Sequence, residues 1–260
     1  MKVVILAGGL GTRISEESHL RPKPMIEIGE APILWHIMKY YAHYGYTEFI
    51  ICCGYKGYII KEYFADYYLH RSDVTFDFAD DNKMIVHNNV AEPWKVTVVD
   101  TGLTTETGGR VKRVQKYIED ETFLLTYGDG VSDIPLPALI AQHEKSGKTA
   151  TISAVQPGGR FGVLKINDRD ATVVGFQEKA KEDGGWINAG FMAVAPEIFG
   201  YIDGDSTVLE RAPLERLSAE GKRGVYKHDG FWQCMDTQRD KMLLEDYWQT
   251  GEAPWKIWGQ

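Results

Sequence analysis

Gly8, Gly9 and Gly11 follow directly on an apolar run, and beyond them come Arg13 and then Lys23, which stands between Pro22 and Pro24. Glycines after a strand let the backbone approach a ligand and turn its amide hydrogens inward, an arrangement suited to phosphate oxygens. On the glycines alone the loop is either a structural turn or a site for any of several nucleotides. A dinucleotide fingerprint counted from Gly9 would put Ile14 where a small residue is needed for close helix packing. A Walker loop would need Gly-Lys-Ser/Thr after four spacers, which is absent. Arg13 offers a planar fork of donors, and Lys23 a compact charge on a backbone stiffened by two prolines. Two cations flanking a nest of amides suit a triphosphate better than a dinucleotide.

The elements that must hold these residues alternate. "KVVILAG" reads as a strand, "PILWHIMKYYAHYG" as a helix ending at Gly45, "EFIICCGY" as a strand and "GYIIKEYFADYYLH" as a helix. The pattern resumes with the strand "KVTVVDTG", a helix around "GGRVKRVQKYI", the strand "TFLLTYGDG" and the helix "LPALIAQHEKSG". Alternation of this kind gives a mainly parallel sheet flanked by helices. From Thr149 on, short runs separated by Gly, Asn or Asp predict added antiparallel strands. A helix over about 209–220, a strand "GVYKHD" and a helix over about 237–249 close the chain.

Composition narrows the function. With 260 residues and 43% hydrophobic content the chain can bury one large core, and no linker-like segment divides it. A net charge of -8 leaves no basic excess for a nucleic-acid backbone. No apolar stretch approaches a membrane span and Met1-Lys2 leads straight into a strand, so the expectation is a cytoplasmic protein with no membrane partner. Cys52 and Cys53 are adjacent on a strand and so point to opposite faces, and Cys234 is distant. Neither a disulfide framework nor a zinc site follows, and the seven histidines show no ligand spacing.

"LAGGLGTR" followed by "RPKPMIEIG", with "EPWKVTVVDTG", "TGGRVKRV", "FLLTYGDGVSD", "GRFGVL", "FQEK" and "GFWQCMDTQRDK", resembles the sugar nucleotidyltransferases across essentially the whole chain. These enzymes join a sugar 1-phosphate to a nucleoside triphosphate and release pyrophosphate. The resemblance implies a Rossmann-like mixed sheet of the nucleotide-diphospho-sugar transferase type in one domain spanning 1–260. Within it, 1–148 would be mainly nucleotide-binding and 149–260 mainly sugar-phosphate-binding. Related thymidylyl enzymes carry a Gly-Leu-Ala motif where this chain has "VDTGLTTETGGRVKRV", which favours cytidine, so the implied substrates are CTP and glucose 1-phosphate.

The resemblance also implies roles. Asp129 and Asp236 would form a Mg²⁺ pair, a cation that typically uses one or two carboxylates together with phosphate oxygens. By themselves, Asp129 also reads as a turn aspartate before Gly130, and Asp236 as an N-cap on the helix beginning at Thr237. Arg13 would stabilise departing pyrophosphate and Lys23 neutralise the α-phosphate, the catalytic set being Arg13, Lys23 and Asp129. The nucleotide would lie against Leu6, Ala7, Gly8, Gly9, Leu10, Gly11, Thr12, Thr105, Arg110 and Gly128. Arg110 reads alternatively as a solvated charge at a helix start. Gly162, Glu178, Lys179 and Asn188 would hold the sugar phosphate, although a Glu-Lys pair alone is a solvated strand end. Ala180 and Trp186 depart from the family pattern in this segment and point to an altered sugar pocket.

A sugar phosphate with a second pKa of about 6 is largely dianionic at neutral pH, so the reaction needs no strong general base and the absence of a Ser/His/Asp pattern is expected. A regulatory relative without activity would be expected to lack the lysine or the carboxylates, and Lys23, Asp129 and Asp236 are all present. The resemblance implies a homo-oligomer, with hexamers among its members. The C-terminal Trp255 and Trp258 fit either a subunit interface or their own core.

Overall fold

Alternate residues of the first apolar run enter two different cores. In β1 (Val3–Ala7), Val3, Ile5 and Ala7 pack on one side of the sheet while Val4 and Leu6 pack on the other. In β2 (Glu48–Cys53), Phe49, Ile51 and Cys53 join the first core, and Ile50 and Cys52 the second. Successive strand side chains face opposite ways, and a sheet covered on both faces needs both sets apolar, which is why these strands read as unbroken hydrophobic runs. Cys52 and Cys53 therefore part as expected, and both are buried free thiols.

The computed structural model describes residues 1–156, 163–167, 172–177 and 185–259. Between β1 and β2 lies α1 (Ile33–His43), and α2 (Gly57–Ala65) leads towards β3 (Lys95–Asp100). Then come α3 (Thr107–Arg113), β4 (Phe123–Tyr127), α4 (Leu136–Ser146), β5 (Ala150–Val155), β6 (Ile187–Val194), α5 (Ala212–Ala219), β7 (Arg223–His228) and α6 (Gln238–Thr250). The seven-stranded sheet has the order β7-β5-β6-β4-β1-β2-β3. β6 runs antiparallel to both its neighbours and the other pairings are parallel. The expected mixed sheet is thus present, and no helix among the described residues is long and apolar enough to cross a membrane.

Several boundaries differ from the expectation. The late short runs are not all additions, because β5, β6 and β7 extend the main sheet. Val163–Asn167 and Thr172–Gln177 do form a separate antiparallel pair. The helix expected around "GGRVKRVQKYI" is interrupted at Val114 between α3 and Gln115–Ile118. Among the features that the sequence pattern did not mark are a hairpin of Asp73–Asp77 with Lys83–His87 and a short ladder of Gly130–Ser132 with Trp232–Cys234.

The C-terminal tryptophans cover their own core. Trp255 is fully buried, stacks on Phe231 with ring centroids 5.7 Å apart, and sits 6.1 Å from the His36 ring. Trp258 packs edge-on to Trp35 at 5.8 Å. Trp255 closes the face of α1 from which His36 bonds the Ile28 carbonyl at 2.9 Å. Removing so large a side chain from a closed site leaves a cavity, so Trp255→Ala should cost about 3–5 kcal/mol of stability. Urea denaturation measures it, and a loss below about 1 kcal/mol would place Trp255 outside the core.

Candidate active site

β1 and β4 lie side by side and parallel, with Leu6 opposite Tyr127, so the loops that leave their C-terminal ends meet. The Gly128 amide donates to the Leu6 carbonyl at 2.9 Å and closes this junction. Ligands of open parallel sheets bind beyond such strand ends. Here a cleft of about 310 Å³ is lined by Leu6, Ala7, Gly8, Gly9, Gly11, Lys23, Thr105, Arg110, Gly128 and Asp129, with Pro24, Glu106, Thr107 and Tyr127. Leu10 and Thr12 belong to the loop but are exposed and are not among the lining residues. Arg13 falls in the turn Thr12–Ile14, and its side chain lies outside the described residues. Gly162, Glu178, Lys179 and Ala180 also lie outside them. Asn188 sits on β6, where its Oδ1 accepts from the Gly190 amide at 2.9 Å.

Lys23 is where two carboxylates converge. Its turn, Lys23–Met25, begins after Pro22 at φ -66° and carries Pro24 inside it, so the stiffening read from the sequence is realised. Lys23 is 8% exposed, and its ammonium donates to Asp129 Oδ2 at 2.7 Å and Asp236 Oδ1 at 2.5 Å. Burial acts against its charge, but the attraction and hydrogen bonds of Asp129 and Asp236 outweigh that and raise its pKa. Two acidic oxygens that meet on one positive centre form a donor set that also fits a hard divalent cation.

The ladder of Gly130–Ser132 with Trp232–Cys234 brings the two aspartates together across the chain. The Met235 amide donates to the Asp129 carbonyl at 2.8 Å. The N-cap alternative for Asp236 is not what the structure uses. Thr237 caps α6, its side chain accepting from the Asp240 amide while the Asp240 carboxylate accepts from the Thr237 amide. Asp236 is thereby left to face Lys23. The neighbouring Cys234 thiol is pushed up to about 12 by burial and by the two carboxylates, which keeps it protonated.

Arg110 is not a solvated charge. It is 5% exposed, and its guanidinium spans the floor of the cleft. Nη1 donates to the carbonyls of Cys53 at 3.1 Å and Gly102 at 2.8 Å and to Thr101 Oγ1 at 2.8 Å. Nη2 donates to the carbonyls of Gly8 at 3.1 Å and Leu103 at 3.4 Å. These acceptors are all uncharged, so the positive charge is solvated by dipoles instead of being cancelled, and burial lowers the pKa. The arginine stitches the glycine loop to the loop after β3 and leaves positive potential in the cleft. Sequence reasoning missed Tyr127 and Thr107, which also line it. Tyr127 directly precedes the Gly128-Asp129 pair and was available as a signal, whereas nothing local marked Thr107.

A cleft bordered by cations and a carboxylate pair is chemically suited to a polyphosphate, the equipment of an enzyme that moves phosphoryl or nucleotidyl groups. The family model described as nucleotidyl transferase matches residues 2–233, and the chain belongs to that family. It is 57% identical over 259 residues, 99% of this chain and 100% of the relative, to the glucose-1-phosphate cytidylyltransferase of Salmonella typhimurium. It is 43% identical, with the same coverage, to a probable glucose-1-phosphate cytidylyltransferase of Bacillus subtilis. Among solved structures, HddC from Yersinia pseudotuberculosis aligns at a TM-score of 0.69 and 26% identity over 95% of this chain and 99% of that one. The same protein complexed with GMP-PN aligns at 0.66 and 25% identity, with the same coverage.

A Cβ on Gly8 would lie 2.1 Å from Arg110 Nη1, so Gly8→Ala must displace the guanidinium from its carbonyls. Bonds to a charged group contribute about 1.5–3 kcal/mol, so CTP affinity should fall by about tenfold or more. Calorimetric titration reads this, and unchanged affinity would show that Arg110 does not organise the cleft.

Proposed function

We propose that this chain transfers a cytidylyl group from CTP to glucose 1-phosphate, forming CDP-glucose and pyrophosphate. The observation that carries the reading is the meeting of Lys23, Asp129 and Asp236 at one side of a cleft bordered by the glycine loop. Cytosine and glucose are taken from the relatives, named as glucose-1-phosphate cytidylyltransferases, that align over the whole chain.

An oxygen of the sugar phosphate attacks the α-phosphorus, the bond to the β-phosphate bridging oxygen breaks, and pyrophosphate leaves with that oxygen. The chain's task is to bring two polyanions together. The amides of Gly8, Gly9 and Gly11, with Leu10 and Thr12 in the same loop, would cradle the triphosphate, and Arg13 the departing pyrophosphate. Lys23, already cationic and close to the reacting edge, neutralises the α-phosphate. Thr105 and the backbone of Leu6, Ala7 and Gly8 read the base, with Gly128 beside them. Arg110 acts there by holding the Gly8 and Gly102 carbonyls in place. Gly162, Glu178, Lys179 and Asn188 are assigned to the sugar phosphate. Asp129 and Asp236 fit Mg²⁺, which when bound screens phosphate charge and orients the α-phosphoryl group. Residues 1–148 would thus serve mainly the nucleotide and 149–260 mainly the sugar, with Asp236 reaching across.

Pyrophosphate release with glucose 1-phosphate and Mg²⁺, compared for CTP, UTP, dTTP, ATP and GTP, tests the assignment. CTP should be strongly preferred and the product should have the mass of CDP-glucose. Asp129→Asn should lower turnover by about 100-fold or more, since it removes half of an anionic pair. Preference for another triphosphate would overturn the base assignment, and retained turnover in the variant would remove Asp129 from the chemistry. The enzyme is also proposed to be a homo-oligomer, hexameric by resemblance. A monomer mass by light scattering would refute this.

A further inference from the structure

The first turn of α3 has little of its own to hold it. Glu106 stands at the N-cap with no side-chain bond to the helix, and the turn then runs Thr107-Gly108-Gly109, with two residues that are poor helix formers. The first amides of a helix also have no partner within it. A distant segment, 205–210, between β6 and α5, supplies what is missing. The Thr207 carbonyl accepts from the amides of Gly108 at 2.9 Å and Gly109 at 3.2 Å, and the Asp205 carbonyl accepts from the Glu106 amide at 2.8 Å. The approach is too close for a side chain. A Cβ on Gly108 would lie 2.7 Å from the Thr207 carbonyl oxygen, and one on Gly109 would lie 2.5 Å from that of Asp205.

Side chains tighten the contact. Thr107 Oγ1 accepts from the Leu209 amide at 2.9 Å and donates to Glu210 Oε2 at 2.6 Å. Arg113 Nε and Nη2 donate to the two carboxylate oxygens of Asp205 at 2.8 and 2.6 Å. Glu210 Oε1 accepts from the Tyr127 hydroxyl, so one carboxylate joins two lining residues of the cleft, Thr107 on α3 and Tyr127 at the end of β4. The segment is itself fixed. The Thr207 amide donates to the Gly204 carbonyl at 3.1 Å, the Gly204 amide donates to Thr207 Oγ1 at 3.2 Å, and Leu209 is buried in the core. Asp205, Thr207, Leu209 and Glu210 do not line the cleft, whereas Thr105, Glu106 and Thr107 at the start of α3 do.

We propose that segment 205–210 is a positioning element for the nucleoside triphosphate: it takes the place of the missing cap on α3 and so holds Thr105, Glu106 and Thr107 as one wall of the cleft. This rests on the reading of the cleft as the triphosphate site. The positive end of α3 is taken up by the Thr207 carbonyl, which leaves the phosphates to the glycine loop and Lys23. A segment from the half of the chain assigned to the sugar phosphate thus governs affinity for the other substrate.

Gly109→Ala and Glu210→Ala loosen the segment from its two ends without altering a lining residue. Alanine is the better helix former, so a purely local effect of Gly109→Ala would tighten α3, while the collision with Asp205 drives the segment off. In the full-length enzyme, the measurements are the Kd of CTP by calorimetry, KM for glucose 1-phosphate at saturating CTP, and hydrogen exchange of the Gly108 amide. Each variant should raise the Kd of CTP by about tenfold, leave KM for glucose 1-phosphate within about twofold, and speed exchange at Gly108. Glu210→Gln, of the same shape, gives the same comparison should Glu210→Ala not fold. An unchanged Kd, an equal rise in KM for glucose 1-phosphate, or weaker CTP binding with unchanged exchange at Gly108 would each overturn the proposal. If the wild type takes another triphosphate in place of CTP, the base assignment alone fails, and affinity for that triphosphate decides the proposal by the same criterion. If it binds none, both fail.

Discussion

The buried ammonium of Lys23 between Asp129 and Asp236 sets the terms for everything around it. An ion in a partly desolvated place persists only if its partners are held where they are needed. Here three separate devices do the holding: Pro22 and Pro24 fix the lysine's backbone, the Gly130–Ser132 ladder fixes Asp129, and the Thr237–Asp240 capping box starts α6 without using Asp236. The same construction sets two carboxylates side by side, a donor pair of the kind that suits a hard cation.

The cleft is electrically uneven as a result. Near Asp129 the lysine's charge is more than balanced by two carboxylates, whereas on the floor Arg110 is met only by carbonyl and hydroxyl dipoles. A polyanion would therefore gain most by lying over the glycine loop, on the Arg110 side of the cleft. Gly8 is required for a steric reason, since a methyl group there would fall on the guanidinium. The parallel sheet supplies the geometry: β1 and β4 are neighbours, so the glycine loop and the first aspartate leave the same edge.

Much of this was legible beforehand because it is local. Glycines after an apolar strand, a lysine between prolines and an acid at a strand end each state their conformation within a few residues. Arg110 was ambiguous between ligand and solvated charge, because its surroundings come from the loops after β1, β2 and β3. Asp236 also read as a cap, a role compatible with metal binding that Thr237 takes instead. The tryptophans of the last segment were open between interface and core; Trp255 is fully buried against α1, and Trp258 packs beside it half-buried. Glu210 gave no signal, since its partners lie 103 and 83 residues away in the chain.

Periodicity and residue type were enough to establish an α/β chain with a glycine-rich loop after its first strand and the chemical identities of the nearby cation and acids, because strand alternation and turn conformation depend on near neighbours. Pairings between distant segments were beyond them. That Asp129 and Asp236 share one ammonium, that Arg110 faces carbonyls, and that β6 runs against its neighbours are consequences of strand order and packing. Those are settled by burying apolar surface on both faces of the sheet, a free energy that belongs to the whole fold and to no short stretch of sequence.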